Sequence, residues 1–151
     1  MRPLLLFLHL AGVVVWVGGM FFAHFCLRPV AAAQLPPPQR LPLLAGVLGR
    51  FFAVVAVAVV AILLSGFVLM MLVGFAPMPW YWHLMLTLGL LMAAIFAYIY
   101  TALFPSMREG VAAQDWQEAG TAMNRIRPLV AINLLLGALT VASATLGPLL
   151  F

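Results

Sequence analysis

Apolar residues run almost unbroken through four stretches of this chain, Leu4 to Leu27, Phe51 to Val73, Trp80 to Phe104 and Leu129 to Leu146, and polar residues gather between them. A helix needs roughly 20 apolar residues to cross the hydrocarbon core of a bilayer, and these stretches meet or approach that length. In lipid every backbone N–H and C=O must find its partner inside the segment, so runs this continuous are helices. Arg, Pro or Gly closes each one. The pattern predicts an all-α integral membrane protein, a four-helix transmembrane bundle forming one domain over residues 1–151.

Three connections join the spans. The first, Arg28 to Arg50, carries Pro36-Pro37-Pro38 and then Leu41 to Leu48, which reads as a short interfacial helix. Gly74 to Pro79 is tight and uncharged. The third, Pro105 to Pro128, holds all three acids, Glu109, Asp115 and Glu118, and predicts an amphipathic helix from Asp115 to Ile126. No internal repeat stands out. Arginines near span ends stay on the cytoplasmic side of a membrane. Arg28, Arg40, Arg50, Arg108, Arg125 and Arg127 lie in connections one and three, and only Arg2 lies at the other end, so both termini are expected in the periplasm of a bacterial inner membrane.

Composition narrows the function classes. At 67% hydrophobic and a mean hydropathy of +1.21, too little polar surface remains for a soluble domain. The net charge of +4 comes from arginines beside the membrane and does not describe a nucleic-acid surface. The single Cys26 excludes an internal disulfide, makes a poor zinc site and reads as a buried apolar residue. Arg2, the first apolar run and Ala31-Ala32-Ala33 imitate a secretory signal, but the run is too long for one and contains His9 and His24. With no carboxylate pair inside a span and no glycine-rich phosphate loop, nothing suggests a hydrolase.

Ionisable side chains inside apolar spans are functional candidates by default. At 1.5 Å per residue, His9 lies about 9 Å inside the first span and His83 roughly 5 Å inside the third, at the same end of the bundle. Two imidazoles at similar depth suit the axial positions of a haem b iron. His9, Gly12, Trp16, Gly19 and Ala23 recur every three or four residues as one stripe. Gly12 leaves room beside the ligand and Trp16 can pack on a porphyrin edge, although glycines at this spacing equally serve helix packing. Tyr81, within the interfacial aromatic run Trp80-Tyr81-Trp82, is a donor for a propionate. Iron held by two imidazoles has no open position, which points to electron transfer, with quinone or superoxide as exchange partners.

Other readings stay open. His24, Arg28, Tyr98, Thr101, Asn133 and Arg127 collect near the opposite end, where a quinone head-group or a second haem could sit. Thioether sulfur and imidazole are soft ligands for Cu(I), and Met70, Met71, Met78 and Met85 lie near His83, so copper handling is an alternative. A purely structural role is a third. Gly- and Ala-lined helix faces predict a homo-oligomer.

Leu8-His9, Val15-Trp16-Val17-Gly18-Gly19-Met20-Phe21-Phe22 and Leu27-Arg28-Pro29 resemble the first span of small copper-resistance D (CopD-like) membrane proteins. Asp115-Trp116, Arg125-Ile126-Arg127 and Asn133-Leu134 resemble the same family's third connection and fourth span. That resemblance implies a copper role. A more distant likeness, to HemJ-type protoporphyrinogen oxidases, implies a haem b held by His9 and His83, with Asn124 and Pro128 echoing an Asn-Glu-x-Pro segment. Met85 stands where that group carries a Lys, and Arg125 where it carries an acid.

Overall fold

The computed structural model describes residues 1–74 and 77–150, with backbone only at Leu150; Phe75 and Ala76, in the connection expected at Gly74 to Pro79, lie outside the described residues. Four long helices make up the molecule: α1 (Arg2–Gln34), α2 (Pro37–Val73), α3 (Trp80–Ala112) and α4 (Trp116–Leu146), the last closing in a 3-10 turn at Gly147–Leu150. All four are long and apolar enough to cross a membrane. The chain is a multi-pass membrane protein.

Helices run further than the apolar pattern alone predicts. The segment Leu41 to Leu48 is not a separate interfacial helix but the first turns of α2, continuous from Pro37. The amphipathic helix expected from Asp115 likewise runs on through Pro128 into the fourth span. Proline removes one backbone donor and crowds the carbonyl four residues back. Pro42 and Pro128 are tolerated near exposed polar positions such as Gln39 and Asn124, where water can reach the freed carbonyls. In α1 and α3 the solution differs. Each helix widens into a π turn, Phe22–Leu27 ahead of Pro29 and Ile99–Leu103 ahead of Pro105, which gives the proline ring room.

The third connection therefore shrinks to a tight hairpin. Asp115 caps α4, its Oδ1 accepting from the amides of Gln117 (3.1 Å) and Glu118 (2.9 Å). Gln114 adopts φ 58°, turning the chain back on itself. A Cβ at Gly110 would lie 2.7 Å from the Ala119 amide nitrogen, so only glycine permits this approach.

Extension beyond the apolar spans adds a buried apolar cluster. Met107 and Ala119 are fully buried there, with Leu41, Leu44, Phe104, Ala122 and Ile126 around them. Phe52 meets Phe104 edge to face at 5.2 Å and Phe96 at 5.9 Å. Inside the spans the helices associate as two pairs. α1 packs chiefly on α2, and α3 on α4. Cys26, expected to be buried, is exposed on the π turn of α1. Its neighbours Phe22 and Phe25 also face outward, as lipid-facing residues do.

Candidate functional site

Between the two helix pairs, at the end that carries both chain termini, lies a cavity of about 580 Å³. It extends from Arg2 and Tyr81 inward to Trp16, Met92 and Gly137. Along α1 that is about 21 Å, taking 1.5 Å per residue. The volume falls in the range of small-molecule and cofactor sites, and the walls are almost wholly apolar.

His9 is the imidazole in this cavity, and α2 fixes how it stands. Its Nδ1 lies 3.0 Å from the Ile62 carbonyl and 3.2 Å from Ser65 Oγ. A carbonyl can only accept, so the ring proton sits on Nδ1. Ser65 spends its own proton on the Ala61 carbonyl, one turn back along α2, and offers its oxygen to the same Nδ1–H. Nε2 is left as the basic nitrogen, with no protein partner among the described residues. A hydrogen bond to one ring nitrogen that frees the other is how metal-ligating histidines are held. Gly66 makes the fit possible. A Cβ there would stand 3.0 Å from His9 Cε1 and 3.3 Å from Nδ1.

Three thioethers share the cavity with His9: Met70 from α2, and Met85 and Met92 from α3. Met92 is 3% exposed and is approached by Thr140 Oγ1, 4.0 Å from its sulfur. Its carbonyl accepts from Asn133 Nδ2 at 3.2 Å. At the outer end, the Arg2 guanidinium donates to the Leu72 carbonyl at the C-terminus of α2, 3.3 Å away, where the helix dipole favours a cation.

The sequence-derived candidates separate on this frame. His9, Trp16 and Tyr81 line the cavity, as does Met85. Trp16 is buried and meets Phe96 edge to face at 6.1 Å. Tyr81 packs over Gly147, where a Cβ would lie 2.6 Å from its Cγ. His83 is not among the lining residues; it is exposed on the outer face of α3, so one chain does not bring His9 and His83 together. Gly12 is used for helix contact, since a Cβ there would lie 2.7 Å from Ile62 Cγ1. Met71 is 61% exposed, and Met78 is buried outside the cavity. Ser65, Gly66 and Met92 complete the site without having been singled out in the sequence.

At the opposite end His24 borders a shallow groove between α1 and α4, and the charges of Arg28 and Arg127 both bear on it. Tyr98 is exposed on α3 and Asn133 is buried against the Met92 carbonyl, so neither lines that groove. Thr101 spends its hydroxyl on the Ala97 carbonyl of its own helix.

Among the described residues no three His, Cys, Asp or Glu side chains converge as a metal site. The soft donors of the cavity are one imidazole and three thioethers, with the Tyr81 and Thr140 hydroxyls also in its lining, and that soft set suits a monovalent ion. No curated protein and no solved structure matches the chain. The family described as Copper resistance protein D matches residues 45–146, which takes in the part of α2 from Ala45, all of α3 and α4 to its end, while α1 with His9 lies outside the match. The match covers more than half of the chain, and the protein belongs to the copper resistance protein D family.

Proposed function

We propose that this protein handles copper in the membrane, taking Cu(I) as its substrate in the cavity between the helix pairs. His9 Nε2 and the sulfurs of Met70, Met85 and Met92 would hold the ion. The observation that carries this reading is the orientation of His9, whose Nδ1–H is committed to α2 while the ring lines a cavity that also holds three thioethers. Imidazole and thioether favour Cu(I) over harder divalent ions. Membership of the copper resistance protein D family points the same way. Met85, where the protoporphyrinogen-oxidase likeness expects a Lys, supplies a soft donor in place of a base.

The proposed orientation puts the cavity end, with both termini, in the periplasm and the arginine-rich end in the cytoplasm. A bacterial inner membrane fits that arrangement.

Cavity size favours a second reading, a haem b in the same place. About 580 Å³ of apolar space beside Trp16, Trp82 and Gly89 is more than a bare ion fills. His9 would again be a ligand. The opposing one within a chain would be Met85 or Met92, because His83 faces outward, and His/Met iron suits electron exchange with quinone or superoxide. His83 would serve only from a neighbouring copy in a homo-oligomer.

One preparation separates the two. Protein purified in detergent from cells supplied with both copper and haem is assayed for metal content and for its visible spectrum. Bound copper without a Soret band, lost in His9→Ala and reduced in Met85→Leu, supports copper handling. A Soret band lost in His9→Ala replaces it with the haem reading. Neither copper nor haem in the wild-type protein sinks both.

A further inference from the structure

We infer that the groove between α1 and α4 is a binding site for an anionic phospholipid, its phosphate held by Arg28 and Arg127 beside His24 and its acyl chain laid along Val17, Gly18, Leu134 and Ala138. His24 lines the arginine-rich end of this groove, with Arg28 one turn further along α1 and Arg127 one turn ahead of the lining residue Ala131 on α4. Arg127 acts electrostatically on both His24 and Arg28, and Arg28 on His24. No ion pair to an acid relieves either arginine among the described residues, and Arg28 Nε has no hydrogen-bond partner. Like charges held together without a carboxylate call for an anion from outside, and guanidinium groups recognise phosphate through paired N–H donors.

Placement selects a lipid as the source of that anion. Arg28 lies about 39 Å along α1 from Arg2, so if Arg2 marks one headgroup layer, Arg28 reaches the other. From there the groove runs inward along the membrane-facing surface, lined by Val17, Phe21, Phe25, Leu134 and Leu135 with Gly18, Ala131 and Ala138 as its small residues. A Cβ at Gly18 would meet nothing within 4 Å, so the space beside it is open to a chain. Basic pockets between helices on the arginine-rich side of a membrane are suited to anionic lipid headgroups. His24, one turn inward of Arg28, then stands where the phosphate ester meets the chain.

Native mass spectrometry of the detergent-purified protein tests this, with phosphatidylglycerol and phosphatidylcholine of identical chains added in turn. The wild-type protein is expected to retain phosphatidylglycerol preferentially. Each arginine near the surface contributes about a fivefold preference, so Arg28→Gln with Arg127→Gln lowers it roughly thirtyfold. Arg108→Gln, outside the cluster, leaves it unchanged. Gly18→Leu fills the groove without meeting another atom at its Cβ and weakens retention of phosphatidylglycerol while the arginines remain. Equal retention of the two lipids by the wild-type protein overturns the proposal, as does an undiminished preference in the double variant. Loss of self-association in Gly18→Leu with lipid retention intact also overturns it, since the groove would then seat a second copy of the chain.

Discussion

Replacing Gly66 by Ala tests whether α2 governs His9, the imidazole on which the proposed copper site rests. Ordinary contact begins at 3.4 Å, and the new Cβ would lie 3.0 Å from His9 Cε1, so the imidazole must withdraw by about 0.4 Å. Withdrawal away from α2 stretches the 3.0 Å bond between Nδ1 and the Ile62 carbonyl towards the limit at which such bonds count. The cost in stability is small. Polar contacts between membrane helices average about 0.6 kcal/mol, and α2 stays helical in lipid whether or not the bundle is assembled, so no propensity gain offsets or enlarges that figure. The cost in ligand binding is larger, because losing the partner that orients a metal-bound histidine lowers affinity about 10- to 100-fold. Gly89→Ala is the matched control. It adds the same methyl group to the same cavity with no atom within 4 Å. Cu(I) competition against a chromogenic chelator, run beside thermal unfolding in detergent, reads the two quantities separately. Gly66→Ala should lose at least tenfold in affinity at nearly unchanged stability, and Gly89→Ala should keep both. A Gly66→Ala protein that binds Cu(I) within twofold of wild type would show that α2 does not set the working geometry of His9.

Substitutions at Asn133, Asp115 and Gly110 probe the frame of the bundle. Asn133→Leu should change stability by less than about 1 kcal/mol, because the bond from Nδ2 to the Met92 carbonyl is offset by a buried Oδ1 without a partner; equilibrium unfolding in mixed detergent checks it. Asn133→Asp, which puts a charge at the same buried place, should sharply lower the yield of folded protein. Asp115→Ala removes the cap of α4 and should cost about 1 kcal/mol in the same unfolding measurement. Gly110→Val forces the hairpin open against the Ala119 backbone and should cost about 1–3 kcal/mol, with Gly120→Val, where no atom lies within 4 Å, as its reference.

Four spans were legible because apolar length alone specifies a membrane helix, and nothing in the polar pattern competes with it. Their outer limits were not. Pro105 and Pro128 read as breaks, yet a π turn before the first and exposed polar neighbours beside the second let the helices continue. His9, Trp16 and Tyr81 were found by depth and spacing, and they do line the cavity. His83 has the right depth but the wrong phase: Tyr81, Met85, Gly89 and Met92 recur at four, four and three residues on the cavity side, and His83 falls off that stripe. The stripe itself was a readable signal for Met92. So was Ser65, whose hydroxyl stands alone in the apolar run from Phe51 to Val73 beside a glycine.

Water drives the two ends of this bundle unequally. Where the helices extend past the membrane, burial removes apolar surface from water, and Met107, Ala119 and Ile126 are almost wholly buried. Inside the bilayer, lipid solvates an apolar helix face as well as another helix does, so contact there depends on local fit. Such fit exists within the α1–α2 pair, where Ile62 fills the space at Gly12 and His9 fills that at Gly66. Between the pairs it is sparse, and the cavity opens there. His9 is thus set rigidly by one pair, while two of its three thioether neighbours, Met85 and Met92, belong to the other. If the cavity holds Cu(I) as proposed, its affinity would depend on how far the pairs stand apart at the open end, hinged on an opposite end that a ligand need not disturb. An ion that draws Met85 and Met92 towards His9 would narrow that separation, and so metal binding and the splay of the two helix pairs are expected to be linked.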